Sequence, residues 1–221
     1  MDWKLFRAAA SSAVLVLTLT PAAHAQATSR TCSAQAGETP GPACLVAHQD
    51  LGALPGGPVY WNIYTFANVE TAEGVRPPQG VVVQAFNQVW LFVVGDKGRE
   101  LKGGRHVADI GPLPLDAVQG DFSVEYLKST FMPGMTAPVH VHSGPEAFYA
   151  ISGGSCLETP EGVQVARGKG HSLLVRGGPP MLLMAIGSEA RQGFALILHG
   201  EGSPPTTLVS DWSPKGLCPK D

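Results

Sequence analysis

The 221-residue chain carries 15 Lys and Arg against 18 Asp and Glu, a formal net charge of −3. Without a basic cluster, that balance argues against nucleic acid or an anionic membrane surface as a partner. With 27 glycines, 19 prolines and only 15% charged residues, many tight turns and few long helices are expected, which favours an all-β domain.

The chain opens on Lys4 and Arg7, an apolar run over residues 8–19, and small residues at Ala23 and Ala25. This order predicts a signal peptide over residues 1–25, cut after Ala25, and therefore a periplasmic or secreted protein. The apolar run is too short to span a bilayer comfortably, so no membrane partner is expected after cleavage. A Pro/Gly-rich N-terminal arm over residues 26–57 follows. Export also governs the reading of Cys32, Cys44, Cys156 and Cys218, which are even in number and lack the close pairing of zinc sites. Of the three pairings open to them, Cys32 with Cys44 and Cys156 with Cys218 are favoured. The first closes a short loop in the arm, and the second pins the tail at residues 212–218.

Residues 58–221 are expected to make one domain. Within it, residues 59–66, 80–86 and 89–94 are rich in β-branched and aromatic side chains and bounded by Gly, Pro and Asn, which predicts strands. Residues 68–78 could hold a helical turn, and His106 stands alone. These strands either extend the sheets of the main domain or form half of a degenerate two-barrel arrangement.

The chemistry concentrates at Gly134, His140, His142, Glu146 and Gly153. Residues two apart on a strand share a face, so His140 and His142 can aim at one point. A turn through Ser143, Gly144 and Pro145 then brings Glu146 toward it. Two imidazoles and a carboxylate form a facial set suited to iron(II), manganese or another divalent ion, with positions left open for substrate or water.

This pattern resembles the first motif of the cupin superfamily, Gly, five residues, His-x-His, three or four residues, Glu, six residues, Gly. The resemblance spans residues 120–200 and implies an all-β cupin-type double-stranded β-helix, a jelly-roll barrel, here with extra N-terminal strands. It implies metal ligands at His140, His142 and Glu146, with Glu146 also available as a general base, and a divalent cofactor (Fe, Mn, Cu or Zn). The second motif of the family falls on Gly170 and Gly178, but its Pro, His and Asn positions are Arg176, Met181 and Ala185 here. Met181 is thus either a soft ligand that favours copper or an apolar wall. The wall is favoured, because residues 181–186 look like a buried strand. His171 and His199 are rival fourth ligands, both expected at the surface.

The function that the resemblance implies is a metal-dependent, dioxygenase-like oxidoreductase acting on a small organic molecule. The alternative is a non-enzymatic module that holds a metal or small ligand in the same cup, with Trp90 or Tyr149 as walls. A homodimer stays open.

Overall fold

The computed structural model describes residues 31–32, 41–116 and 118–219. The expected signal peptide lies outside them. Fourteen strands and one short helix make up the described chain. In order these are β1 (Gly41–Gly52), β2 (Tyr60–Phe66), α1 (Val69–Glu73), β3 (Gly80–Ala85), β4 (Gln88–Gly95), β5 (Gly104–Ile110), β6 (Phe122–Phe131) and β7 (His140–His142). There follow β8 (Glu146–Ser152), β9 (Gly154–Thr159), β10 (Gly162–Arg167), β11 (Ser172–Val175), β12 (Leu182–Ile186), β13 (Arg191–Gly200) and β14 (Thr206–Leu208).

A five-stranded sheet, ordered β1-β6-β13-β8-β11, forms the middle layer. Its central strands β6, β13 and β8 are largely buried on both faces, and period two sorts their side chains between two cores. On β13, Phe194, Leu196 and Leu198 enter one core together with Tyr126, Ala147 and Tyr149, while Ala195 and Ile197 enter the other with Leu127 and Phe148. The second core is closed by the three-stranded sheet β10-β9-β12, through Leu157, Ala166, Leu183 and Ala185. The β7-β14 pair lies beside this layer and carries the two histidines of the motif. These two facing layers are the all-β, jelly-roll arrangement expected from the sequence.

The N-terminal strands are observed where expected, and they do not extend those sheets. They form a separate four-stranded sheet, β3-β4-β2-β5, on the back of the middle layer. Trp61, Ile63, Trp90 and Phe92 pack there against Tyr126 and Phe194, with Phe92 and Phe194 edge to face at 5.0 Å. The opposite side of β2 is covered as well, since Tyr64 and Phe66 pack with Leu91 and Ala72 of α1. That helix is the helical turn anticipated after Asn68, whose side chain caps it by accepting from Thr71 N at 2.8 Å. The middle strands β2 and β4 are thus covered on both sides.

Residues 41–52, assigned to the N-terminal arm by composition, are instead the edge strand β1, paired along β6 from Gly41↔Thr130 to Gly52↔Phe122. Three register shifts along β1 account for its irregular sequence pattern, because each bulge resets the alternation of inward and outward residues. Both expected disulfides are formed, Cys32–Cys44 and Cys156–Cys218, with no free cysteine among the described residues.

Candidate metal centre

His140 and His142 are the two ends of β7, with Val141 turned the other way. The chain then reverses through Ser143-Gly144-Pro145. Glycine is needed at the apex, since a Cβ on Gly144 would lie 2.1 Å from the Leu198 carbonyl oxygen. This close approach seats the turn against β13 and starts β8 at Glu146, paired with Ile197. The motif closes at Gly153, whose φ of +71° and contact with the Arg191 backbone (2.6 Å for a built Cβ) both exclude a side chain.

His140, His142 and Glu146 are all buried, and their ligand atoms lie within 4.8 Å of one another. His140 Nε2 and His142 Nε2 are 3.0 Å apart, and His142 Nε2 is 3.0 Å from Glu146 Oε2. The outward nitrogens fix the tautomer of each ring in its neutral form. His140 Nδ1 donates to the Pro138 carbonyl at 2.6 Å, and His142 Nδ1 to the Pro205 carbonyl at 2.8 Å, with Thr206 Oγ1 at 3.2 Å. A carbonyl only accepts, so each Nδ1 bears the hydrogen and each neutral Nε2 presents a lone pair. With both rings neutral, two lone pairs and a buried carboxylate converge, and Glu146 Oε2 gains a donor when His142 Nε2, 3.0 Å away, takes up a proton. Such a set requires a cation, either a proton or a metal ion.

Electrostatics follow the same logic. Burial pulls His140 below the ordinary histidine value, helped by His142 and opposed by Glu146 and the Pro138 carbonyl. Burial acts on His142 in the same sense. There the charge and hydrogen bond of Glu146, with Pro205 and Glu125, outweigh it and raise the value. His142 is thus the position where a proton would substitute for a metal ion.

The trio forms part of the wall of a cavity of about 450 Å³ between the middle layer and β7, β12 and β14. The rest of its wall is largely apolar, with Met135, Phe148, Leu183 and Ile197 prominent. Of the remaining candidates, Met181 sits opposite His140 in register, joined by two backbone hydrogen bonds, so motif two and motif one do meet. Its side chain is buried in the apolar core with Leu157 and Leu173 and does not line the cavity. His171 is exposed. His199 is only 5% exposed, contrary to the expectation of a surface residue. It lies on the inward phase of β13, and the edge strand β1 brings His48 beside it, rings 6.4 Å apart. Neither belongs to the trio. Trp90 and Tyr149 face the back core and are not walls of the cup, because Tyr149 has the opposite phase to Glu146 and Phe148 on β8. Arg191 and Ser129, which do line the cavity, were not anticipated from sequence.

The His140, His142 and Glu146 trio sits in a two-layer, all-β fold. No protein-family profile matches the sequence, and no curated protein does. Among solved structures, the chain is similar to an oxalate oxidase (18% identity, 39% of this chain and 46% of that one, TM-score 0.34). It is similar also to the DMSP lyase of Ruegeria pomeroyi (16%, 42% and 45%, 0.34) and a cupin domain from Bordetella pertussis (23%, 33% and 78%, 0.29). The chain spans less than half the length of the oxalate oxidase it matches.

Proposed function

We propose that this chain is an exported cupin-type metalloprotein, a metal-dependent oxidoreductase of dioxygenase-like type acting on a small apolar organic molecule. The observation that carries the metal is the buried convergence of the His140 and His142 Nε2 atoms and the Glu146 carboxylate, with both Nδ1 hydrogens directed outward to carbonyls. The observation that favours chemistry over storage is the number of protein ligands. Three leave coordination positions free, and those positions open on a cavity large enough for a small molecule.

A divalent ion held by His140, His142 and Glu146 would supply Lewis acidity and open coordination positions for an organic substrate and its oxidant, dioxygen. The residues around it have separable tasks. The Pro138 and Pro205 carbonyls fix the imidazole orientations, as outer partners of ligating histidines generally do. Glu146 is the one buried carboxylate in the cavity wall, and its Oε2 is the atom positioned to accept a proton from a bound molecule. Phe148, Leu183 and Ile197 exclude water from the same space.

The reading is tested by oxygen uptake with purified protein, reconstituted separately with iron(II), manganese, copper and zinc, against a panel of small apolar acids, alcohols and ketones. Uptake that depends on one metal and is lost in His140→Ala is expected. Stoichiometric metal and bound organic ligand with no turnover on any metal would identify a binding module instead.

A further inference from the structure

Arg191 is the largest charged side chain in the interior, at 1% exposure, and it forms part of the wall of the same cavity as the metal trio. Its Nε donates to Ser155 Oγ at 3.0 Å and its Nη1 donates to Ser129 Oγ. Nη2 is buried without a partner. The guanidinium lies over Phe131 and Phe148, 5.9 and 5.7 Å from the ring centroids. Among the described residues no carboxylate lies within ion-pairing distance of it, although Arg76 and Arg176 at the surface pair with Glu73 and Glu161.

That is the reverse of the usual economy. Exposed arginines gain little from a carboxylate, whereas a buried charge is strongly destabilising unless paired. Two serine hydroxyls and two ring faces orient the guanidinium but do not neutralise it. Glu146, across the cavity, favours its charge only at a distance. Burial brings it down to about 10, so it remains charged at neutral pH. The fold nevertheless holds it firmly, with Gly153 closed against its backbone and Phe131 opposite in register.

We propose that Arg191 is the anchor for a carboxylate on an apolar organic acid, whose body lies along Phe148, Leu183 and Ala195 and whose far end points to His140, His142 and Glu146. The orientation of that far end rests on the metal reading above, whereas the carboxylate contact does not. A single monovalent anion is the matching charge. A phosphate dianion would leave excess negative charge in an apolar cavity that already contains Glu146. The inference also supplies the substrate class of the proposed oxidoreductase, a small aromatic or aliphatic acid held at its carboxylate end.

The test uses chelator-treated protein, so that metal plays no part. Benzoate and hexanoate are titrated by calorimetry in parallel with benzamide and hexanamide, which keep size and shape but lose the charge. The acids should bind at least tenfold more tightly than the amides. Arg191→Met should abolish that preference with near-ultraviolet circular dichroism unchanged, and His140→Ala should keep it. Equal affinity for acid and amide, no binding of either acid, or a preference that survives Arg191→Met would each overturn the proposal. So would its loss in His140→Ala, which would place the acid at the trio. If Arg191→Met does not fold, the wild-type acid-to-amide ratio decides alone. Acid preference without any metal affinity in the untreated protein would uphold Arg191 while refuting the metal centre.

Discussion

Two backbone carbonyls decide the chemistry of the trio. By accepting from the Nδ1 atoms, Pro138 and Pro205 leave both Nε2 lone pairs inside, where a metal ion and a proton would compete. The sign follows from His142. Glu146 raises its value against the effect of burial, so at low pH the proton occupies Nε2, and the metal must displace it. Apparent metal affinity should therefore climb as pH rises past the ordinary histidine value of about 6.5 and level off above the raised value. A competition titration with a chelating dye across that range would show it, and a flat profile would refute it. Met181 offers a second check at this scale. Because its side chain lies in the apolar core, Met181→Leu, which conserves volume, should leave metal occupancy unchanged and cost less than about 1.5 kcal/mol. Loss of metal in a folded Met181→Leu variant would make the thioether a ligand.

At the scale of elements, β13 shows how one strand serves both cores and the site. Phe194, fully buried among Phe86, Trp90 and Phe92, locks the back sheet to the middle layer. Phe194→Ala should cost about 3–5 kcal/mol in urea unfolding. The trio of His140, His142 and Glu146 was legible in sequence because its members are local, with two on one strand and one across a short turn. Arg191 was not, since its serine partners lie 36 and 62 residues away and only its inward phase on an apolar strand hints at burial. The β-branched runs identified β2, β3 and β4, but which sheet they join depends on pairing with distant strands, which period two does not encode. Glycine, proline and three bulges hid β1 in the same way. The tail was legible as a disulfide through Cys156 and Cys218. Its second anchor was not, for Glu158 is fully buried and accepts from the backbone amides of Lys215 and Leu217, an interaction with no local signature. Cys218→Ser should therefore lower stability by about 2–5 kcal/mol, with the remaining fold held by the packed sheets and Glu158. An unchanged urea midpoint would show the tail to be ornamental.

For the whole molecule, two disulfides fit an oxidising compartment, and no helix among the described residues is long and apolar enough to cross a membrane. Protein recovered from such a compartment should give no reaction with a thiol reagent until it is reduced, and should begin at Gln26 by N-terminal sequencing. An intact Met1 would remove the export step from the proposal. The central claim is narrower, that the buried trio of His140, His142 and Glu146 holds a metal ion. Elemental analysis of purified wild-type protein beside a His140/His142 double-alanine variant tests it most directly, with His106→Ala as the control, since His106 pairs with Asp109 on the back sheet. Close to one equivalent of a divalent metal in the wild type and in the control, and almost none in the double variant, is the expected result. Equal metal content in all three proteins, whether high or absent, would contradict it.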